Sequence, residues 1–185
     1  MAEIFMVVGG SRSGKSSSAE KLAANCEKKL GYPVIYIATG TIWDEEFALR
    51  VEKHRLRRPS SWHTVEEPCD LSRIFNEYID QAQIYLLDSL GTWVSNIMYR
   101  DNVTNFSWDE NKEQAFLIQL ELLAESLENA NGTVILVADE VGMDVVPVSQ
   151  EGRIFRDLNG MTNQKLAAKA RQVYMVVCGI ELRIK

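Results

Sequence analysis

Short apolar runs alternate with longer amphipathic ones along this chain. Residues 4–8, 34–39, 84–88, 133–138 and 173–178 are rich in β-branched, aromatic and aliphatic residues, the pattern of strands buried on both faces. Between them the spacing predicts helices over 17–24, 44–58, 71–79, after Ser89-Leu90-Gly91-Thr92-Trp93, over 109–128 and from about Gln150 to Arg171. The helix over 109–128 carries Phe116, Leu120, Leu123 and Leu127 as one stripe. Residues 101–108 read as polar loop. Trp62 to Glu66 alternates and reads as an edge strand, and Leu182 to Lys185 is placed beside the last core strand. Strand–helix alternation with continuously apolar strands predicts an α/β fold, a mostly parallel sheet with helices on both faces and an antiparallel edge strand at its C-terminal end. Residues 1–185 are expected to form one domain, with no internal repeat.

The first strand runs into Gly9-Gly10-Ser11-Arg12-Ser13-Gly14-Lys15-Ser16, and a helix follows. Strand, Gly-x-x-x-x-Gly-Lys-Ser and helix together are the context of a phosphate-binding P-loop. Glycines let the backbone approach phosphate oxygens, and the N–H groups form a nest at the positive end of the helix. Lys15 would reach the terminal phosphates and the Ser16 hydroxyl would help to hold Mg²⁺. A helix N-terminus contributes only about 0.3–2 kcal/mol to an anion. Micromolar nucleotide binding needs about 8 kcal/mol, so a second cluster near the phosphates is expected.

Composition narrows the classes. The net charge is −6, from 20 basic and 26 acidic residues, a poor platform for nucleic acid. Three separated cysteines, without a Cys-x-x-Cys pair, argue against a zinc site or a disulfide framework and suit the cytoplasm. No apolar run approaches the roughly 20 residues of a membrane span, and no signal peptide is expected.

Asp88 ends a buried strand downstream of the P-loop, where a Walker-B acid stands; Ser16 and Asp88 are the candidate metal pair. The alternative is a strand-end carboxylate that caps the next helix. The segment 44–58 opens on Asp44-Glu45-Glu46 and closes on Lys53-His54-Arg55-Leu56-Arg57-Arg58, which suits the helix dipole. His54 shares a face with Phe47 and Val51, so the residues alone favour a half-buried helix histidine. A neutral imidazole beside guanidinium groups is also a competent nucleophile at phosphorus. Asp139-Glu140 ends the fourth core strand and faces the ligand edge, as contacts to metal or substrate hydroxyl or as turn caps.

Taken together these segments resemble the bifunctional adenosylcobinamide kinase/adenosylcobinamide-phosphate guanylyltransferases of cobalamin biosynthesis. The resemblance runs nearly end to end: the P-loop, Tyr36-Ile37-Ala38-Thr39, Asp44-Glu45-Glu46, Arg50-Val51 with His54, Arg58-Pro59 and Trp62, Thr64-Val65-Glu66, Asp88, Glu140-Val141-Gly142-Met143, Phe155-Arg156-Asp157, Asn163-Gln164 and Cys178-Gly179-Ile180. It implies a P-loop NTPase-type fold and two reactions. The first phosphorylates the aminopropanol hydroxyl of adenosylcobinamide from ATP or GTP. The second moves GMP from GTP onto that phosphate through a guanylylated histidine, at the position of His54. Thr39, Gly40, Thr41, Arg55, Leu56, Arg57, Arg58, Glu66 and Asp88 fall where the family lines its guanine nucleotide site, and Lys15 and His54 are the expected catalytic pair. A cytoplasmic homotrimer is implied as well. Asp139 stands where the resemblance leads one to expect Asn, Ser17 where Arg is frequent, and Lys53 where some members carry a second histidine.

Two other classes share the P-loop. A small-molecule kinase without a guanylyl intermediate would make His54 structural. A GTP-binding switch would carry Asn-Lys-x-Asp, and the nearest run, Asn111-Lys112-Glu113-Gln114, lacks the acid. The sequence assigns no docking site to the corrinoid and no preference between ATP and GTP.

Overall fold

The structure is a computed structural model that describes residues 2–41, 58–100 and 106–185. Strand β1 (Glu3–Gly9) leads through the glycine-rich loop into helix α1 (Lys15–Leu30), followed by β2 (Val34–Ala38) and β3 (His63–Glu66). Helix α2 (Leu71–Glu77), β4 (Gln83–Asp88), α3 (Leu90–Tyr99), α4 (Glu110–Asn129) and β5 (Gly132–Asp139) come next. Helix α5 (Gln150–Lys169), β6 (Gln172–Val177) and β7 (Ile180–Arg183) complete the described order. The helix expected over 44–58 lies outside the described residues except for Arg58, and so does most of the polar part of the 101–108 loop.

The strands form one seven-stranded sheet in the order β3-β2-β4-β5-β1-β6-β7. Every pairing is parallel except β6 with β7. The expected mostly parallel sheet, its edge strand at 62–66 and its antiparallel C-terminal edge are all present. The last strand starts earlier than expected. Cys178 and Gly179 both have positive φ, 52° and 78°, and make a two-residue turn that sets Ile180 opposite Val177.

Alternation along each strand divides the core. One face carries Met6, Ile37, Leu87 and Leu136 against α2, α3, α4 and α5, with Trp93 and Phe116 packed at 5.6 Å between ring centres. The other carries Val7, Tyr36, Leu86 and Val137 against Ala19 and Ala23 of α1. Local signals set the helix ends. Asp109 accepts from the Lys112 N–H at 2.9 Å to start α4. Gly31 closes α1 by donating its N–H to Glu27 O, and Lys28 and Lys29 oppose the negative end of the dipole.

Candidate active site

Parallel strands that all end on one side bring the functional loops to a single edge. The glycine-rich loop leaves β1, between β5 and β6, on that edge. Gly14 is the N-cap of α1 at φ 98°, a left-handed conformation that a side chain would strain. The loop is braced from both sides: Glu140 N–H donates to Gly9 O at 3.1 Å, and Gly179 N–H, in the β6–β7 turn, donates to Ser13 O at 2.8 Å. Lys15 and Ser16 open α1. Ser11 and Arg12 are exposed, Arg12 at φ 56°, while the Ser13 hydroxyl is buried without a hydrogen-bond partner among the described residues.

The Lys15 ammonium lies 2.8 Å from Asp139 Oδ1 and donates to Gly10 O at 3.2 Å. Asp139, at the end of the neighbouring β5, also accepts at Oδ2 from the Ser89 hydroxyl at 3.0 Å. Ser89 is the N-cap of α3, taking the Thr92 N–H at 3.3 Å. Glu140 is turned away from this pair and caps its own turn, its Oε1 accepting the Gly142 N–H at 2.5 Å.

A second group gathers where β4 and β2 end. Asp88 shares strand parity with Leu86, so it faces the side of the sheet that α1 covers. Its Oδ2 accepts from the buried Tyr36 hydroxyl at 2.7 Å. Burial, and then the charge of Asp88, push the Tyr36 phenol far above its ordinary range, so it stays a proton donor. The Arg58 guanidinium lies 3.5 Å from the centre of the Tyr36 ring, and its Nε is buried without a partner among the described residues. Thr39 is fully buried, and its hydroxyl donates to Ser89 O and accepts from Ser89 N, both at 2.9 Å. Asn96 donates to Thr39 O at 2.7 Å and to Pro68 O at 3.0 Å.

Among the sequence candidates, then, Gly9 to Ser16 and Asp88 share one edge, and Thr39, Gly40 and Thr41 leave β2 beside them. Glu66 ends β3, exposed, in register with Ala38. His54, Arg55, Leu56 and Arg57 lie outside the described residues. Tyr36, Ser89 and Asn96 were not anticipated as parts of the site. Ser89 had a local signal, a Ser-x-x-Thr start after a strand-end acid; the other two are joined to the site only through tertiary pairing. Among the described residues no three His, Cys, Asp or Glu side chains gather as a metal cage. Hydroxyl and carboxylate oxygens at Ser16 and Asp88 suit Mg²⁺, which usually takes one or two protein ligands and completes its shell with phosphates and water. The Tyr36 bond uses Asp88 Oδ2 and, among the described residues, leaves Oδ1 for such a contact.

Comparison with known proteins bears on the family and on the fold. A model of the family described as cobinamide kinase / cobinamide phosphate guanyltransferase matches residues 5–184. The chain is 39% identical to the bifunctional adenosylcobalamin biosynthesis protein CobU of Escherichia coli K12, over 98% of this chain and 99% of that protein. It is 36% identical to the protein of the same name from Salmonella typhimurium LT2, with the same coverage. Among solved structures it is similar to the ATPase domain of G40P, with a TM-score of 0.53 and 12% identity over 94% of this chain and 68% of that one, a likeness of fold alone.

Proposed function

The chain belongs to the cobinamide kinase / cobinamide phosphate guanyltransferase family, and from that membership we propose that it carries both activities. It phosphorylates the aminopropanol hydroxyl of adenosylcobinamide from a nucleoside triphosphate, and then transfers GMP from GTP to give adenosylcobinamide-GDP. The observation that carries the reading is the placement of Lys15 and Ser16 at the mouth of a glycine-rich loop, on the same sheet edge as Asp88.

In the kinase reaction the loop N–H groups and Lys15 hold the β- and γ-phosphates, and the substrate hydroxyl attacks the γ-phosphorus in line. The new O–P bond forms as the bond to the β-phosphate oxygen breaks. Ser16 and Asp88 would hold Mg²⁺, which would supply neutralisation of the phosphate charge. In the second reaction a neutral nitrogen of His54 attacks the α-phosphorus of GTP, an N–P bond replaces the bond to pyrophosphate, and the Arg55–Arg58 cluster steadies the developing charge. An oxygen of cobinamide phosphate then takes GMP from the histidine. An unperturbed histidine is mostly neutral at cytoplasmic pH, as this attack requires. The Nε of Arg58, buried without a partner among the described residues while the guanidinium lies over the Tyr36 ring, supports a phosphate contact at the end of the His54 segment.

Homotrimeric assembly and a cytoplasmic location belong to the same reading. Among the described residues no helix is long and apolar enough to cross a membrane.

The test is covalent labelling. GTP labelled at the α-phosphate, incubated with Mg²⁺ and the pure protein, is expected to leave acid-labile, alkali-stable label on the denatured chain, and none on His54→Ala. Unlabelled wild type that still phosphorylates cobinamide would reduce the reading to a kinase alone. Guanylyl transfer at the wild-type rate by His54→Ala would remove the covalent step.

A further inference from the structure

Asp139 is held from four directions. Its carbonyl oxygen accepts from Asn159 Nδ2 at 2.6 Å and Asn163 Nδ2 at 2.9 Å, both reaching up from α5. Its carboxylate takes Lys15 on Oδ1 at 2.8 Å and the Ser89 hydroxyl on Oδ2 at 3.0 Å. It also rests on the first turn of α3, where Gly91 leaves room: a Cβ there would stand 2.3 Å from Asp139 Oδ2. The positive end of α3 favours a carboxylate at that place. A surface carboxylate that happened to meet a lysine would need none of this. The support fixes the carboxylate relative to the loop, and the group that it addresses there is the Lys15 ammonium.

An ammonium has three N–H donors. Lys15 gives one to Asp139 and one to Gly10 O, which leaves one to point at a ligand. Asp139 therefore acts on Lys15 in two opposed ways. It fixes the direction of the ammonium, and it sets a negative charge beside the group that attracts phosphate. We propose that Asp139 is a positioning residue of the phosphate loop, one that competes with nucleotide phosphates for Lys15 and so trades nucleotide affinity for the orientation of Lys15 in phosphoryl transfer. The inference rests on the nucleotide-binding reading given above.

The experiment is a double-mutant cycle on nucleotide binding, with Asp139→Asn, Lys15→Met and the double variant, using Mg²⁺–GTP without corrinoid and measuring Kd. Kinase kcat and KM are measured beside it. Asn has the same shape and can still face Ser89, but it carries no charge. Asp139→Asn is expected to bind GTP about three- to tenfold more tightly, because the Lys15 charge is then no longer shared between Asp139 and the phosphates. Its KM for nucleotide falls, and kcat falls too because Lys15 is no longer aimed. In the Lys15→Met background the same substitution should leave Kd within about twofold, because Asp139 acts through Lys15.

Unchanged or weaker binding by Asp139→Asn overturns the proposal. So does an equal tightening with and without Lys15, which would be plain charge repulsion. A KM drop with kcat unchanged removes the orienting half and overturns it as stated. Should Asp139→Asn not fold, Asp139→Ala carries the same expectation. If Lys15→Met weakens GTP binding while the Asp139 variants do not strengthen it, the functional reading stands and this inference falls. If wild type binds no GTP, both fall.

Discussion

Along the carboxyl edge of the sheet, the end of β1 and the end of β4 hold their functional groups by different means. At β1 the backbone does the work: Gly14 at φ 98° turns the chain into α1, and main-chain bonds from Glu140 and Gly179 brace the loop. At β4 side chains do it. Tyr36 reaches across from β2 to Asp88, Thr39 clasps the backbone of Ser89, and Asn96 ties Thr39 O to Pro68 O. A backbone nest recognises phosphate whatever is attached to it. A buried side-chain network is satisfied by one arrangement only, and so it fixes the position of one carboxylate. The two meet at the Lys15–Asp139–Ser89 contacts.

The largest expected effect breaks the first region chemically and leaves the second untouched. Lys15→Ala should lower kinase turnover by about 10²-fold or more, the scale for losing one charge-stabilising donor. Circular dichroism and thermal melting should show an intact fold, since the loop N–H groups and Gly14 are unaffected. A variant with near-normal turnover would mean that the phosphates lie elsewhere.

The reverse experiment breaks the second region. Asn96 is 6% exposed, and Asn96→Ala leaves two carbonyls, Thr39 O and Pro68 O, without their donor. The buried Thr39 O left unpaired costs about 1–3 kcal/mol, and the cavity left by the amide adds to it, so a loss of about 2–4 kcal/mol is expected in denaturant unfolding. A loss under about 1 kcal/mol would mean that water replaces the amide. A smaller loss is expected for Gly14→Ala, about 1–3 kcal/mol from the left-handed backbone alone, with GTP binding weakened beyond what the stability change explains.

The same division explains how far the sequence could be read. The β1 site is local: an apolar run, the glycines, Lys15 and Ser16 lie within fourteen residues of chain from Glu3, and each has a near-neighbour reason to be there. The five core strands were legible because each is apolar on both faces; the two edge strands are not, and were placed by alternation and by position. The order of the strands was not legible, because alternation of strand and helix does not say that β5 lies between β1 and β4. That insertion is what sets Asp139, rather than Asp88, against Lys15. Tyr36 reads in sequence as one more aromatic strand residue; only its register with Leu86, two residues before Asp88, reveals its hydroxyl as a partner for that acid. The early start of β7 has a similar cause. Cys178 is an unusual residue at positive φ, and so Cys178-Gly179 does not announce a hairpin as Asn-Gly would.

The finest test separates the Tyr36–Asp88 bond from everything else in the second region. Tyr36→Phe keeps the ring beneath Arg58 and removes only the hydroxyl. Near neutral pH the loss should be about 1–2 kcal/mol, between the worth of a neutral hydrogen bond and that of one to a charged group, since Asp88 is only half-buried. The pH dependence gives the bond its signature. Burial, and secondarily Asp88, raise the phenol above its ordinary 10.0 in the folded state, so the unfolded chain releases this proton first. The stabilisation that Tyr36 contributes is therefore complete below about pH 10 and is lost as pH rises beyond it, by about 1.4 kcal/mol per unit. Tyr36→Phe has no such proton to lose. Tyr85, which burial pushes up to about 12, contributes an alkaline loss to both proteins and cancels in the difference. The two stability curves should thus run parallel through neutrality, converge above pH 10 and cross near pH 11. Curves that stay parallel to pH 11 would mean that the Tyr36 hydroxyl titrates alike in both states, and that Asp88 is held by something other than this bond.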